Sequence, residues 1–243
     1  MDKKNDRQVR RSLKQLDSDI MSSLEQLVAQ HGFGKVPLIE LCRKAKIQAH
    51  VFYRRYDNID ELYNKLALQY DFWINDIIKM ADRKTMRAEE FYAQTLKRLF
   101  NELSQNDIMQ QLLLWELLEY NETTKHTVDL RESLINNFIS YYDKLFHKTG
   151  VNMKHITYML IFSGCYLILR NRQLAASEAE GRTNEKSNQF EQTVDELTNV
   201  LFFTLNQHSE KIESAKKMLA DGIQKDKICH YLGLTQQELA ATL

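Results

Sequence analysis

A scarcity of helix-breaking residues is the feature that most limits how this chain can fold. The 243 residues include one proline and seven glycines. Sheets made of many short strands need tight turns, and such turns favour glycine and proline. So few of these residues predict long helices and almost no strand. Because 43% of the residues are apolar, the chain can also bury a sizeable core. We therefore expect an all-α fold.

The stretch from 37 to 62 has the pattern of two short helices joined by a tight turn. The first helix is expected over residues 37–44 and the turn over 45–47. A second helix is expected over 48–56, where Phe52 and Tyr56 at positions i and i+4 form its buried face. This is the pattern of a helix-turn-helix.

The other face of the second helix is polar. It carries an amide, an imidazole, a phenol and a guanidinium, groups that can bond to DNA phosphates and to base edges in a major groove. The residues on this face are Gln48, Ala49, His50, Tyr53 and Arg54. We therefore expect this helix to read DNA.

These features together resemble the N-terminal domain of TetR-type regulators over roughly residues 10–65. The resemblance is carried by the apolar spacing, the corner at 45–47, the Phe52-Tyr53 pair, Tyr56 and the Asp60-Glu61-Leu62 helix start. It implies a three-helix DNA-binding domain followed by a helical bundle that binds an effector and dimerises. It also implies a double-stranded DNA operator as partner and a homodimer.

This sequence departs from the usual TetR pattern at several positions. Lys46 stands where the family usually has glycine, and a lysine at positive φ costs on the order of 1 kcal/mol. Gln48 replaces a serine and caps a helix start less well. Ala49, His50 and Ile59 stand where lysine, glycine and lysine are common. Our candidate DNA-binding residues are Arg10, Arg11, Lys44, Lys46, Gln48, Ala49, His50, Tyr53, Arg54 and Arg55.

Charge is distributed unevenly along the chain, although the net charge is zero. Residues 1–56 contain 12 Lys and Arg against 6 Asp and Glu, which leaves 33 − 12 = 21 against 33 − 6 = 27 in the remainder. A basic N-terminal part joined to an acidic body suits contact with nucleic acid at one end. The alternative is an ordinary solvated charged surface.

Apolar spacing predicts helices along the whole chain, and the resemblance to TetR-type regulators implies how they divide: a DNA-binding domain at 1–57, a helical ligand-binding and dimerisation domain at 58–208, and an extension at 209–243. A helix from Asn58 to about 81 is expected to link the first two. The residues from 82 to 87 are expected to be a loop, and those from 177 to 189 either a loop or a frayed helix end. The other body helices are expected at 88–105, 107–121, 124–148, 154–176 and from 190 onward.

Aromatic residues are frequent in the body, where they either fill the core or line a cavity for a small apolar or aromatic effector. Our candidate ligand-binding residues are Trp115, Phe138, Tyr142, Tyr158 and Phe162. The dimer is expected to form through helices 154–176 and 187–206. There the small residues Ser163 and Gly164 would allow close approach.

The extension is expected to form three short helices, with Gly222 and Gly233 as stops and a capping box from Thr235 to Glu238. Its last two helices are themselves helix-turn-helix-like. Because the final helix lacks Lys and Arg, packing on the body or on a partner is the favoured interpretation over a second DNA reader.

The sequence carries no recognisable enzyme motif, and its histidines and three cysteines lack metal-ligand spacing. We expect no catalysis, no metal and no cofactor. The three widely spaced cysteines are expected to be reduced thiols in a cytoplasmic protein, and the longest near-apolar run, residues 158–169, is too short to span a bilayer. These features favour a ligand-responsive transcriptional repressor acting as a homodimer. The alternative is a helical interaction protein of TetR-like fold that has lost specific DNA binding.

Overall fold

The fold was obtained as a computed structural model that describes residues 12–70, 85–175 and 183–241. All regular structure in these ranges is helical, with no strand, so the all-α prediction is confirmed. A 3₁₀ turn lies at His147–Thr149. The helices are α1 (Leu13–His31), α2 (Leu38–Ala45), α3 (Ala49–Tyr53), α4 (Ile59–Tyr70), α5 (Ala88–Gln105), α6 (Asp107–Leu118), α7 (Glu122–Leu145), α8 (Met153–Ala175), α9 (Thr183–Ala220), α10 (Lys225–Leu232) and α11 (Gln236–Ala241).

The described helices belong to two compact units. The first contains α1 to α4, α6 and the beginning of α7. The second contains α5, the rest of α7, and α8 to α11. The first unit is thus larger than the domain predicted at 1–57, because it also takes in α4 and α6.

The core of the first unit is built on α1, which packs against α2, α4 and α6. Ser12 caps the start of α1 by accepting a hydrogen bond from the Gln15 amide at 3.1 Å. Buried side chains from α1, α2, α3, α4 and α6 meet in one cluster, which includes Leu24, Leu41, Phe52, Leu62 and Leu112. The helix-turn-helix is therefore stabilised by the hydrophobic core of the first unit.

The core of the second unit is rich in aromatic rings. Tyr92 on α5 is fully buried, and its phenol pairs with the Thr157 hydroxyl at 2.8 Å. Tyr142 on α7 is also fully buried and donates to the Ala88 carbonyl at 3.0 Å. These bonds satisfy two phenols that would otherwise be costly to bury.

The extension differs from the prediction at its start. Its first short helix is the end of α9, which is continuous through position 209 because no glycine or proline interrupts it before Gly222. The other two helices are confirmed as α10 and α11. They pack on the end of α9 through Ala215, Ile228 and Leu239.

The predicted caps of the extension are also confirmed. Gly233 adopts a left-handed conformation at φ 63° after α10. The Glu238 amide donates to the Thr235 hydroxyl at 3.1 Å, and the Thr235 amide donates to the Glu238 carboxylate at 2.6 Å. These two reciprocal bonds form the expected capping box.

Most other helix boundaries lie within three residues of the predicted ones, and α5 matches its predicted range. The helix predicted over 48–56 is shorter, since α3 ends at Tyr53. Of the two alternatives predicted over 177–189, a loop or a helix end, the structure has helix in the last part, because α9 begins at Thr183. The linker helix is seen only to Tyr70, and the rest of its predicted range lies outside the described residues. None of the helices described is long and apolar enough to cross a membrane.

Candidate nucleic-acid interface and ligand cavity

The turn of the helix-turn-helix is set by Lys46. Its backbone is left-handed, at φ 55° and ψ 48°. The Ile47 amide donates to the Cys42 carbonyl at 2.9 Å, and the Lys46 amide donates to the Arg43 carbonyl at 3.2 Å. This is the bond pair of a Schellman cap, which normally has glycine at the left-handed position. The expectation of positive φ at Lys46 is confirmed.

The predicted polar face of α3 is open to solvent. Phe52 is fully buried, and the Tyr53 ring stands edge-on to it with centroids 5.5 Å apart. Tyr53 is 59% exposed, so its phenol points away from the core. The Gln48 side chain makes no capping bond, as its poor capping propensity predicts. The remaining exposed residues here are Gln48, Ala49, His50 and Arg54.

Arg55 is placed differently from its neighbour Arg54. Its guanidinium makes a bidentate ion pair with Asp17 on α1, with Nε 2.7 Å from the carboxylate. The Tyr56 phenol donates to the same carboxylate at 2.8 Å. Arg55 and Tyr56, which lie shortly after the end of α3, are therefore bonded to α1. This pairing gives Arg55 a positioning role in holding α3.

The electrostatics of this junction favour its charged form. Burial alone would raise the pKa of Asp17, but hydrogen bonds from Arg55 and Tyr56 outweigh it and hold that pKa below its usual value. Burial, together with the bond to Asp17, raises the pKa of Tyr56 to about 12. Near neutral pH the carboxylate is therefore ionised and the phenol stays a donor.

The other candidate DNA-binding residues that the structure describes lie at the turn. Lys46 is exposed and Lys44 is half-buried. Arg43 lies beside them, and Glu40 is 3.7 Å from its guanidinium, which offsets part of its charge. Arg10 and Arg11 lie outside the described residues. Lys44 and Lys46 thus add positive charge immediately before the open face of α3.

The five candidate ligand-binding residues are not brought together. Trp115 belongs to the first unit, where it stacks on Phe33 at 4.9 Å and donates from Nε1 to Glu119 at 2.8 Å. Phe138 and Tyr142 are buried in the aromatic core of the second unit, with ring centroids 5.2 Å apart.

Tyr158 and Phe162 stack along α8 at 5.6 Å, and Phe162 is 59% exposed. The Tyr158 phenol donates to Glu132, and burial together with that bond raises its pKa to about 12. This pair lies at the surface of the second unit.

A cavity of about 350 Å³ lies instead between α5, α8 and α9 of the second unit. Its walls are largely apolar, and none of the five candidates lines it. The main apolar residues of its lining are Leu96, Phe100, Leu160, Phe190, Val194 and Leu197. Hydroxyl and amide groups from Ser163, Asn171, Gln189, Thr193 and Thr198 complete the lining.

Thr198 and the cavity itself were missed by the sequence analysis. A threonine inside a helix commonly bonds its own backbone, and no sequence pattern marks one that faces a cavity instead. Asp17 was missed as well, although an acidic residue in a strongly basic N-terminal region is a signal that could have identified it.

Apolar side chains remain exposed on the two helices predicted to form a dimer. On α8 they recur at three- and four-residue spacing, and on α9 at three-residue spacing. They are Met159, Phe162 and Tyr166 on α8 and Leu197, Val200 and Phe203 on α9. We call these six residues the α8/α9 apolar face.

Gly164 has a different role from the one expected. It is buried, and a Cβ atom added to it would lie 2.3 Å from the Phe100 ring of the same chain. Gly164 therefore allows α8 to approach α5 within the second unit. Its predicted part in close approach between two copies of the chain was wrong, because its own chain already occupies that space.

Comparisons with protein-family models and with curated proteins gave no match. Solved structures do match. The fatty acid degradation regulator FadR of Bacillus halodurans superposes with a TM-score of 0.58 at 13% identity, over 78% of this chain and 96% of that one. A protein of Pseudomonas aeruginosa PAO1 assigned as a transcriptional regulator gives 0.54 at 15% identity, over 78% and 93%.

A protein of Vibrio parahaemolyticus assigned to the TetR family gives a TM-score of 0.46 at 17% identity, over 72% of this chain and 95% of that one. At such identities it is the fold that is shared. The two better superpositions establish it as that of helical transcriptional regulators. The fold expected from the resemblance is thus confirmed.

Proposed function

We propose that this chain is a TetR-like DNA-binding transcriptional regulator that acts as a homodimer and responds to a small ligand. The observation that carries the proposal is the open polar face of α3, held by a buried Phe52 and preceded by a lysine-bearing turn. Recognition helices of this kind place such a face in the major groove. The first unit is assigned to DNA, and the second to the effector and the dimer.

The groups on α3 suit two kinds of contact. Tyr53 and Arg54 can donate to phosphates, and Arg54 or Gln48 can also reach a base edge. With only five residues, α3 rises roughly 7 Å along its axis, against about 3.4 Å per base in a strand. Each α3 can therefore read about two to three base pairs. Recognition of a long operator would need two copies of the chain.

The α8/α9 apolar face supports the dimer. Single exposed apolar residues are ordinary, but six on two helices mark an interaction surface. Phe162→Glu is expected to yield monomers in sedimentation without a loss of helix content. Tyr231→Glu is the matched control, because Tyr231 is 70% exposed on α10, outside this face. If both variants stay dimeric, the dimer forms elsewhere.

The test of DNA binding is a salt titration on a sequence selected from random duplexes. We expect a steep fall of affinity with salt and a preference for the selected sequence. Arg54→Ala should weaken binding and, if the contact is to phosphate, reduce the salt slope by about one. Lys216→Ala on α9 is the control, since it removes one exposed positive charge from the second unit.

The opposite result would favour a helical interaction protein of the same fold. The observation that supports this alternative is that α3 is short and has no side-chain cap. Absence of binding even at low salt, or unchanged affinity when Arg54→Ala and Tyr53→Phe are combined, would remove α3 from the groove.

A further inference from the structure

Thr198 carries a buried hydroxyl that has no hydrogen-bond partner within the described part of the chain. The residue is 1% exposed and lines the cavity between α5, α8 and α9. Other threonines of α9 bond to their own helix, since Thr193 donates to Gln189 and Thr204 to Val200, both at 2.8 Å. Thr198 makes no such bond to its own helix, and it lies where α9 borders the cavity.

The other hydroxyls of the cavity are already engaged. Ser163 donates to the Leu160 carbonyl at 3.0 Å, and Thr193 is bonded as described. Of the three hydroxyls in the described lining, that of Thr198 is thus the one without a hydrogen-bond partner. An unpaired buried hydroxyl costs free energy unless a ligand or a water completes it.

The rest of the lining limits the charge of an occupant. The described lining contains no Lys, Arg, His, Asp or Glu. An ionised group bound against these walls would lose part of its hydration without gaining a counter-ion, which is unfavourable. Phe100 and Phe190 meet edge to face at 5.2 Å and form part of the apolar wall. The volume of about 350 Å³ is at the small end of ligand sites.

We propose that this cavity binds a small neutral molecule with a mostly apolar body, and that Thr198 forms a hydrogen bond with its single polar group. This deepens the effector part of the proposed function and places the effector away from Trp115, Phe138 and Tyr142. Leu167 and Leu197 line the cavity and are also 42% and 49% exposed. The cavity therefore opens beside the α8/α9 apolar face.

The experiment uses three probes of similar shape: p-cresol, toluene and 4-methylbenzoate. Binding to the full chain is followed by calorimetry and by NMR of the Thr198, Val194 and Leu41 methyl groups, without DNA. We expect p-cresol to shift the Thr198 and Val194 signals and to leave Leu41, in the first unit, unchanged. It should bind at least tenfold more tightly than 4-methylbenzoate.

The matched variants are Thr198→Val and Thr193→Val, which delete one lining hydroxyl each from the same helix. Thr198→Val should weaken p-cresol roughly three- to tenfold, the value of one hydrogen bond, and leave toluene unchanged. Thr193→Val should change neither. Equal effects of the two variants, tighter binding of 4-methylbenzoate, or no methyl shift at millimolar p-cresol would each overturn the proposal.

A separate measurement distinguishes this site from the proposed function as a whole. If p-cresol binds as expected but the DNA affinity does not change, the ligand site stands and its role as an effector site fails. If the chain binds no DNA at all, the probe experiment still tests the site.

Discussion

Lys46 stands at a position where its backbone conformation is unfavourable. It is the one non-glycine residue with positive φ in the part of the chain that the structure describes. For a residue with a Cβ this conformation costs about 1–2 kcal/mol. The cost becomes understandable if the exposed ammonium contributes to DNA binding, since the turn lies immediately before α3.

Lys46→Gly should therefore separate stability from function. Glycine removes the backbone strain of the folded state, but it also gives the unfolded chain more conformational freedom. The net effect should be to stabilise the protein by roughly 0.5–1 kcal/mol. DNA affinity should fall, because one cation is lost. Urea denaturation and a salt-titrated binding assay measure the two effects. Lys35→Gly, at ordinary φ in the same unit, should not stabilise; if it stabilises equally, strain at Lys46 is not the cause.

Asp17 makes the fastening of α3 dependent on pH. Its pKa is held below the usual value in the folded state, so its contribution to stability is complete above the unfolded pKa of about 3.9. That contribution is lost as the pH falls through the folded pKa. Asp17→Asn should lower the melting temperature at pH 7, and the difference from the wild type should shrink below pH 4. A difference that stays constant to pH 3 would contradict this role.

At the level of helices, α5 and α8 of the second unit pack closely at Gly164. A glycine inside a helix normally costs about 1 kcal/mol relative to alanine. Here the Phe100 ring occupies the space that a side chain at Gly164 would need, since a Cβ atom at this residue would lie 2.3 Å from the ring. Whether Gly164→Ala stabilises or destabilises the protein therefore shows whether helix propensity or packing dominates at this residue.

Gly164→Ala should destabilise the protein by about 1–3 kcal/mol, as overpacking does. Helix propensity alone would instead predict that alanine stabilises it. Phe100→Ala alone should cost about 3–5 kcal/mol. The double variant should cost less than the sum, because truncation of the ring makes room for the added methyl group. Chemical denaturation of the four proteins measures the cycle. Stabilisation by Gly164→Ala would show that the helices can move apart freely.

The sequence predicts helices well where apolar periodicity and breakers agree. The bounds of α5 and the caps at Gly233 and Thr235 follow from local chemistry alone. The start of α9 does not, because polar residues from 183 to 189 look like a loop although they are helical. The early end of α3 is not apparent either, since Arg55 and Tyr56 lie beyond the helix and bond Asp17, which is 38 and 39 residues away.

The location of the site depends on packing between distant residues, which spacing does not reveal. The exposed face of α3 was predictable because burial of Phe52 fixes the opposite side of the helix. Trp115 could not be placed from its own helix, because its partners Phe33 and Tyr63 are far away in the sequence. The cavity arises from α5, α8 and α9 together, so no single helix carries its signature.

At the scale of the whole molecule, the proposed regulator depends on the distance between two copies of α3. A dimer on a two-fold operator holds its recognition helices about 34–36 Å apart, or a multiple of that. A ligand changes this distance only if it binds one conformer more tightly than the other. Three chain segments pass between the units and could transmit the change: the one that follows α4, the short one between α5 and α6, and α7, which begins in the first unit and ends in the second.

Ligand and operator should therefore weaken each other by the same factor, because coupling between two binding equilibria is reciprocal. The expected factor is about 5- to 150-fold, the usual range of such coupling. A spin label at Gln26, exposed on α1, should report a changed head-to-head distance on addition of p-cresol, with Cys165 and Cys229 replaced by alanine. Thr198→Val should need more p-cresol for the same change, whereas Thr193→Val should respond like the wild type. If p-cresol binds and neither the distance distribution nor the operator affinity moves, the units are not coupled through this cavity.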